Sequence, residues 1–139
     1  MGTQQFLNLV LPDKGGKIIA LATPTKNGGA WFRYKRYDST EDAATAAKAF
    51  DDEGETVYFA VNSFNDWYLD KTKNKKRIRT QENVFACRSL FDDFDVGSDD
   101  LKKYATRKEA LADIIRLATT LQLTPTITSS GGGYHCYFS

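Results

Sequence analysis

Apolar positions along this chain come in short runs broken by polar and glycine-rich turns, a pattern of brief strands with two helices among them. Residues 6–11 and 17–22 read as two strands separated by Pro12-Asp13-Lys14-Gly15-Gly16, so a hairpin is expected at the start. A loop over 23–29 leads to an aromatic strand over 30–37. Ser39 then caps a helix in which Ala43, Ala46, Ala47 and Phe50 recur at helical spacing until Gly54 ends it. Residues 56–61 form the next strand, and 62–83, polar, basic and without clear period, is expected to be a long surface loop.

The pattern resumes at residues 84–96 as one long strand, straight or bent. Thr106-Arg107-Lys108-Glu109 is a capping box that opens a second helix with Ala110, Leu111, Ile114, Ile115, Ala118 and Leu121 turned inward. Residues 125–129 and 134–138 supply the last strands. The fold class expected is α/β in the broad sense (α+β), a mixed β-sheet with flanking helices, in one domain spanning residues 1–139. No internal repeat or low-complexity tract interrupts it.

Composition adds limits. Hydrophobic residues make up 41% of the chain, aromatics 13% and charged residues 27%, which excludes a disordered tail. The net charge of +1 makes no global case for nucleic acid, but charge is unevenly placed. Lys71, Lys73, Lys75, Lys76, Arg77 and Arg79 crowd one stretch, and Asp92, Asp93, Asp95, Asp99 and Asp100 crowd the next. Cys87 and Cys136 lack metal-site or disulfide-framework spacing, and no window carries a signal peptide or an eighteen-residue apolar span. A cytoplasmic protein with reduced thiols and no membrane partner is expected.

Candidate chemistry lies in two motifs about forty residues apart. In Phe91-Asp92-Asp93-Phe94-Asp95-Val96-Gly97, alternation puts Asp93 and Asp95 on one strand face and Phe94 on the other, where two carboxylates could share Mg²⁺ or Mn²⁺. The ordinary alternative is a solvated strand end. Asp92 would then turn toward the side of Phe94, which calls for a bulge or an edge position. In Ser130-Gly131-Gly132-Gly133-Tyr134-His135, the glycine amides, Ser130 and His135 could hold a triphosphate, although a triple glycine is often only a turn. Lys73, Lys75, Lys76, Arg77 and Arg79 could meet phosphates of a single-stranded DNA template, with Trp67 and Tyr68 stacking on bases; a solvated loop is the competing reading. Trp31, Phe32, Tyr34 and Tyr37 are expected to pack within their sheet.

The ordered set of these segments resembles the catalytic domain of the archaeo-eukaryotic primase superfamily, in particular phage and plasmid primase-polymerases. The stretch 57–62 resembles the strand before that family's variable loop, Arg77-Ile78-Arg79 its basic stretch, and residues 88–97 its first catalytic motif. Residues 104–111 resemble the helix start that follows, and 130–135 the second motif. The resemblance implies that Asp93 and Asp95 hold Mg²⁺ or Mn²⁺, and that Ser130, Gly131, Gly132, Gly133 and His135 hold an incoming NTP or dNTP. The implied activity is two-metal nucleotidyl transfer on a DNA template during replication. Asp92 departs from the family's apolar residue at that position, and no third acidic motif follows, so the chain is expected to be the N-terminal part of a longer enzyme, one that could also carry a helicase domain. The alternative is a non-catalytic nucleotide- or single-stranded-DNA-binding module; a metal-dependent nuclease fits the glycine loop less well.

Overall fold

A computed structural model describes residues 1–97 and 104–139. Asp99 and Asp100 of the acidic run lie outside the described residues. The fold is mixed α+β, with its strands distributed over several small antiparallel sheets. Two compact units can be distinguished along the chain, Met1–Arg88 and Ser89–Ser139, and each is described by itself. Among the described residues no helix is long and apolar enough to cross a membrane.

The first unit opens with a helix, α1 (Thr3–Val10), where a strand was expected. Alternation fails there because Asn8 falls among the apolar positions, while Leu7, Val10 and Leu11 at spacings of three and four bury together. The Gln5 side chain accepts from the Gly2 amide at 3.2 Å and closes the first turn. β1 (Lys17–Pro24) therefore pairs not with residues 6–11 but with β2 (Ala30–Tyr37), in antiparallel register from Lys17 opposite Tyr37 to Pro24 opposite Ala30. The connecting turn depends on Gly28, whose φ of 79° falls in the left-handed region. α2 (Thr40–Asp52) follows its Ser39 cap, which accepts from the Asp42 amide at 3.0 Å. β3 (Thr56–Phe59) pairs with the other edge of β1, giving the order β2-β1-β3.

The stretch expected to be a long loop is structured. It contains β4 (Ser63–Phe64), β5 (Tyr68–Asp70), β6 (Lys75–Arg77) and a 3₁₀ turn over Gln81–Asn83. Its periodicity is faint because each piece is two or three residues long, yet Phe64 and Ile78 are buried with Ile18 and Ala60. β5 and β6 form a hairpin, and Asp70 holds it. One carboxylate oxygen accepts from the amides of Thr72 and Lys73, both at 3.1 Å, and the other from Arg77 at 2.9 Å. The expected long strand over 84–96 is two strands, β7 (Val84–Ala86), paired with β4, and β8 (Leu90–Asp95).

The second unit is a single antiparallel sheet of order β8-β10-β9, with one face covered by α3 (Arg107–Leu121). β9 spans Pro125–Ser130 and β10 spans Gly133–Phe138. β8 and β9 both run antiparallel to the strand between them, so β8-α3-β9 is a crossover into which β10 has been inserted. The capping box forms as expected: Thr106 Oγ1 accepts from the Glu109 amide, and Glu109 accepts from the Thr106 amide. Only Ala110, Ile114 and Ala118 of the expected inward residues are buried. Leu111, Leu121 and Ile115 (55% exposed) lie at the surface, because a three-stranded sheet covers a stripe narrower than the helix's apolar arc.

Candidate functional site

Alternation along β8 and β10 sorts their side chains into two faces. Phe94, Cys136 and Phe138 turn toward α3 and form the core with Ala110, Ile114 and Ala118. Asp93 and Asp95 are on the opposite face, and the register sets Asp93 directly across from His135 and Asp95 across from Gly133. The sheet thus brings the two motifs together although they are forty residues apart in sequence. His135 Nε2 lies 3.8 Å from Asp93 Oδ1, beyond a direct hydrogen bond, with side chains 41% and 48% exposed. The Phe91 ring, also on this face, meets His135 edge-on at 5.6 Å.

Asp92 sits on an edge strand with no bulge. Its register with Cys136 is unbroken, and its Oδ1 accepts from the amide of Asp93 at 2.9 Å, a donor that points away from the ladder. The edge position explains how a carboxylate is tolerated beside the helix-covered face. Its negative charge adds to burial in raising the Cys136 thiol to about 11.

The glycines divide by role. Gly133 is required by packing: a β-carbon there would collide with the Phe94 carbonyl of the adjacent strand. Gly131 has open space around it, and Gly131 and Gly132 together make the two-residue turn between β9 and β10. The backbone at this turn stays outside the left-handed region, so its conformation does not itself demand glycine. Ser130 lies across β10 from Asp95, in the row Asp95, Gly133, Ser130. The middle member has no side chain to stand between the carboxylate and the hydroxyl-bearing residue, and the space its β-carbon would take is filled by the Phe94 carbonyl.

Sequence reading missed Arg107. From the first turn of α3 its guanidinium donates to Ser129 Oγ at 3.1 Å, and to the carbonyls of Gly133 and Ser130, each at 3.2 Å. It also lies 5.1 Å from the Tyr134 ring centroid. Arg107 therefore fixes the glycine turn relative to the helix. The signal available was a cation immediately inside a capping box, which sequence reading assigns to the helix alone. Tyr104 was missed as well: it stacks on Phe94 and donates to Asp113. That bond pushes the phenol up to about 12 and, with Arg116, holds the Asp113 carboxyl below its usual range.

The basic residues belong to the first unit. Arg77 is paired with Asp70, so its charge serves the hairpin. Lys75, Lys76 and Arg79 line a groove of about 600 Å³ along the edge of β2, while Lys73 lies in the exposed β5–β6 turn. Trp67 lines the same groove; Tyr68 is tied through its hydroxyl to Thr80 at 2.9 Å. The expectation that the β2 aromatics pack within the sheet fails for Trp31, which is 75% exposed, whereas Phe32, though partly exposed, stacks on Tyr34 and meets the Tyr58 ring of β3 edge-on at 5.8 Å. Among the described residues β2 is an edge strand, so Trp31 has no neighbouring strand on one side to pack against.

Comparison with family models, with curated proteins and with solved structures returns no match to this chain.

Proposed function

We propose that the chain carries the nucleotide-binding and metal-binding part of a template-dependent nucleotidyltransferase, of the primase-polymerase kind that its motifs resemble. The observation that supports this most is the register of β8 and β10, which gathers Asp93, Asp95 and His135 on one exposed face, with the glycine turn at its end. Exposed carboxylates two residues apart suit a hard divalent cation, whose remaining ligands would be triphosphate oxygens. Among the described residues no three His, Cys, Asp or Glu side chains come close enough to enclose an ion, so Asp93 and Asp95 make a half-site that a nucleotide would complete. Bound there, Mg²⁺ or Mn²⁺ would supply charge neutralisation for attack of a 3′-hydroxyl on the α-phosphorus and for departure of pyrophosphate.

The chain's own residues have separable tasks. Asp93 and Asp95 bind the cation. His135, carried on the central strand and steadied by the Phe91 ring, donates to a phosphate oxygen. Ser130 and the amides at Gly131 and Gly132 meet the rest of the triphosphate, in a turn that Arg107 holds in place. A single-stranded DNA template is bound by the basic residues of the first unit. The second reading, a nucleotide- or DNA-binding module without catalysis, is favoured by the small donor set, which on its own leaves a cation largely exposed to water.

Calorimetric titration of Mn²⁺ with and without nucleotide tests the reading. Nucleotide should tighten Mn²⁺ binding in the wild type and fail to do so in the Asp93→Asn, Asp95→Asn double variant. His135→Ala should weaken nucleotide binding by about 1 to 3 kcal/mol, the range for a hydrogen bond to a charged group. Equal Mn²⁺ binding in wild type and double variant would remove the assignment.

A further inference from the structure

The exposed Trp31 of β2 calls for a partner. Trp31 adds little to the core from its edge position, and Trp67 lines the same groove. The groove's other wall is the segment Lys75–Arg79, in which Ile78 is buried and anchors the strand while Lys75, Lys76 and Arg79 border the cavity. Of the acidic residues nearby, Glu82 is bonded to Thr80 and lies close enough to Arg77 to interact with its charge, and two others are paired with arginines. Glu55 accepts from Arg33 at 3.1 Å, and Asp70 from Arg77 at 2.9 Å. Lys75 and Lys76 have no acidic partner among the described residues, and Arg79 lies over the Tyr34 ring at 5.9 Å. The surface is thus positively charged and aromatic together.

We infer that this groove binds single-stranded DNA, with bases stacking on Trp31 and Trp67 and phosphates meeting Lys75, Lys76 and Arg79. Interleaved rings and cations match a strand that offers π-faces and phosphates alternately; a duplex hides its bases, and an apolar protein surface would leave the lysines unmatched. The inference rests on the proposed function only for the choice of DNA, the template of that reaction. It adds Trp31, which sequence reading assigned to sheet packing, to Trp67, Lys75, Lys76 and Arg79, which it assigned to DNA, and it moves Arg77 from phosphate contact to hairpin support.

Both tryptophans of the chain line the groove, so their fluorescence reports directly on stacking. Titration of the full chain with a dT20 oligonucleotide should quench it, and duplex DNA of equal length should quench it far less. Trp31→Ala should weaken dT20 binding roughly ten-fold with little change in salt dependence, and Trp31→Phe should recover most of the loss. Lys75→Ala with Lys76→Ala should lower the salt slope by about 1.4, the loss of two single-strand phosphate contacts. Circular dichroism checks that each variant is folded. Unquenched fluorescence at saturating dT20, or wild-type affinity and salt slope in these variants, would overturn the assignment. So would tighter binding of rU20, or a concentration-dependent dimer that shields Trp31 and excludes dT20, which would identify β2 as a self-pairing edge. The Asp93→Asn, Asp95→Asn variant separates the two ideas: dT20 binding should persist in it whether or not nucleotide-linked Mn²⁺ binding is found in the wild type.

Discussion

Strand β1 occupies the centre of its sheet and buries residues 17–22 in succession, whereas β8 runs along the edge of its own and buries Phe94 alone. The sequences announce the difference. Lys-Ile-Ile-Ala-Leu-Ala is a nearly continuous apolar run, as expected when both faces of a strand are covered. Even its lysine is accommodated, with the ammonium donating to the carbonyls of Asp13 and Gly15 at 2.8 Å each. Leu-Phe-Asp-Asp-Phe-Asp instead offers one face to α3 and presents carboxylates on the other. One strand is spent on stability; the other keeps only enough packing to hold its acids in register.

The largest expected effect breaks the first half of that contrast. Ile18→Ala removes a fully buried side chain packed with Ala60, Phe64 and Ile78, and should cost about 2 to 5 kcal/mol by urea denaturation. Ile114→Ala, the matching deletion beneath β8 and β10, should fall in the same range of about 2 to 5 kcal/mol. A loss below about 1 kcal/mol at Ile18, the size expected of a surface position, would mean that β1 is not the strand on which the first unit is built.

Next in size is the glycine pair. Gly133→Ala drives a methyl group into the Phe94 carbonyl and should destabilise the sheet by about 1 to 3 kcal/mol, as overpacking does. Gly131→Ala, with open space around it, should stay within about 0.5 kcal/mol of wild type. Similar costs at the two positions would erase the division between a packing glycine and a turn glycine.

Those two glycines also show how far the sequence could be read. Alternation placed Phe94 inside and Asp93 and Asp95 outside, the Ser39 cap and Gly54 located α2, and the Thr106 to Glu109 capping box located α3, because these features depend on neighbours in the chain. Which of three adjacent glycines is required depends on how closely β8 approaches β10, and that distance is not local information. The same holds for α1, mistaken for a strand over six residues where both periods fit part of the pattern, and for Arg107, whose partners are more than twenty residues away. The exposure of Trp31 was invisible for a related reason. An aromatic strand reads alike at the centre and at the edge of a sheet, and only pairing order tells them apart.

A smaller effect sharpens the comparison beneath β8. Tyr104, stacked on Phe94, has its phenol raised from 10.0 to about 12, first by the bond to Asp113 and then by burial. A raised folded-state value favours the protonated form, so this stabilisation is full below pH 10 and is lost as pH rises toward 12. Tyr104→Phe should therefore show a shallower fall in stability than wild type between pH 10 and 12. Cys136, at about 11, and Tyr137, at about 12, titrate in the same window in both proteins, so the difference between the two curves is the measurement. In acid the sign reverses. Asp113 is held low mainly by the same hydroxyl, and wild type should lose this stabilisation as pH falls through the carboxylate range, an acid loss that the variant shows less of.

The smallest effect belongs to the exposed face of β8. Asp93 is about half exposed, its side chain lies 3.8 Å from His135 without a direct hydrogen bond, and Asp92 and Asp95 add like charge on the same strand. Removing one carboxylate relieves repulsion and forfeits a weak attraction to the imidazole, two small terms of opposite sign at a solvated edge. Asp93→Asn should therefore change folding stability by no more than about 0.5 kcal/mol, while the proposed function requires it to impair nucleotide-linked Mn²⁺ binding. That separation is what distinguishes a residue kept for chemistry from one kept for the fold. If Asp93→Asn instead unfolds the second unit as readily as Ile114→Ala, the acid is a structural member of the edge strand, and the contrast between β1 and β8 collapses.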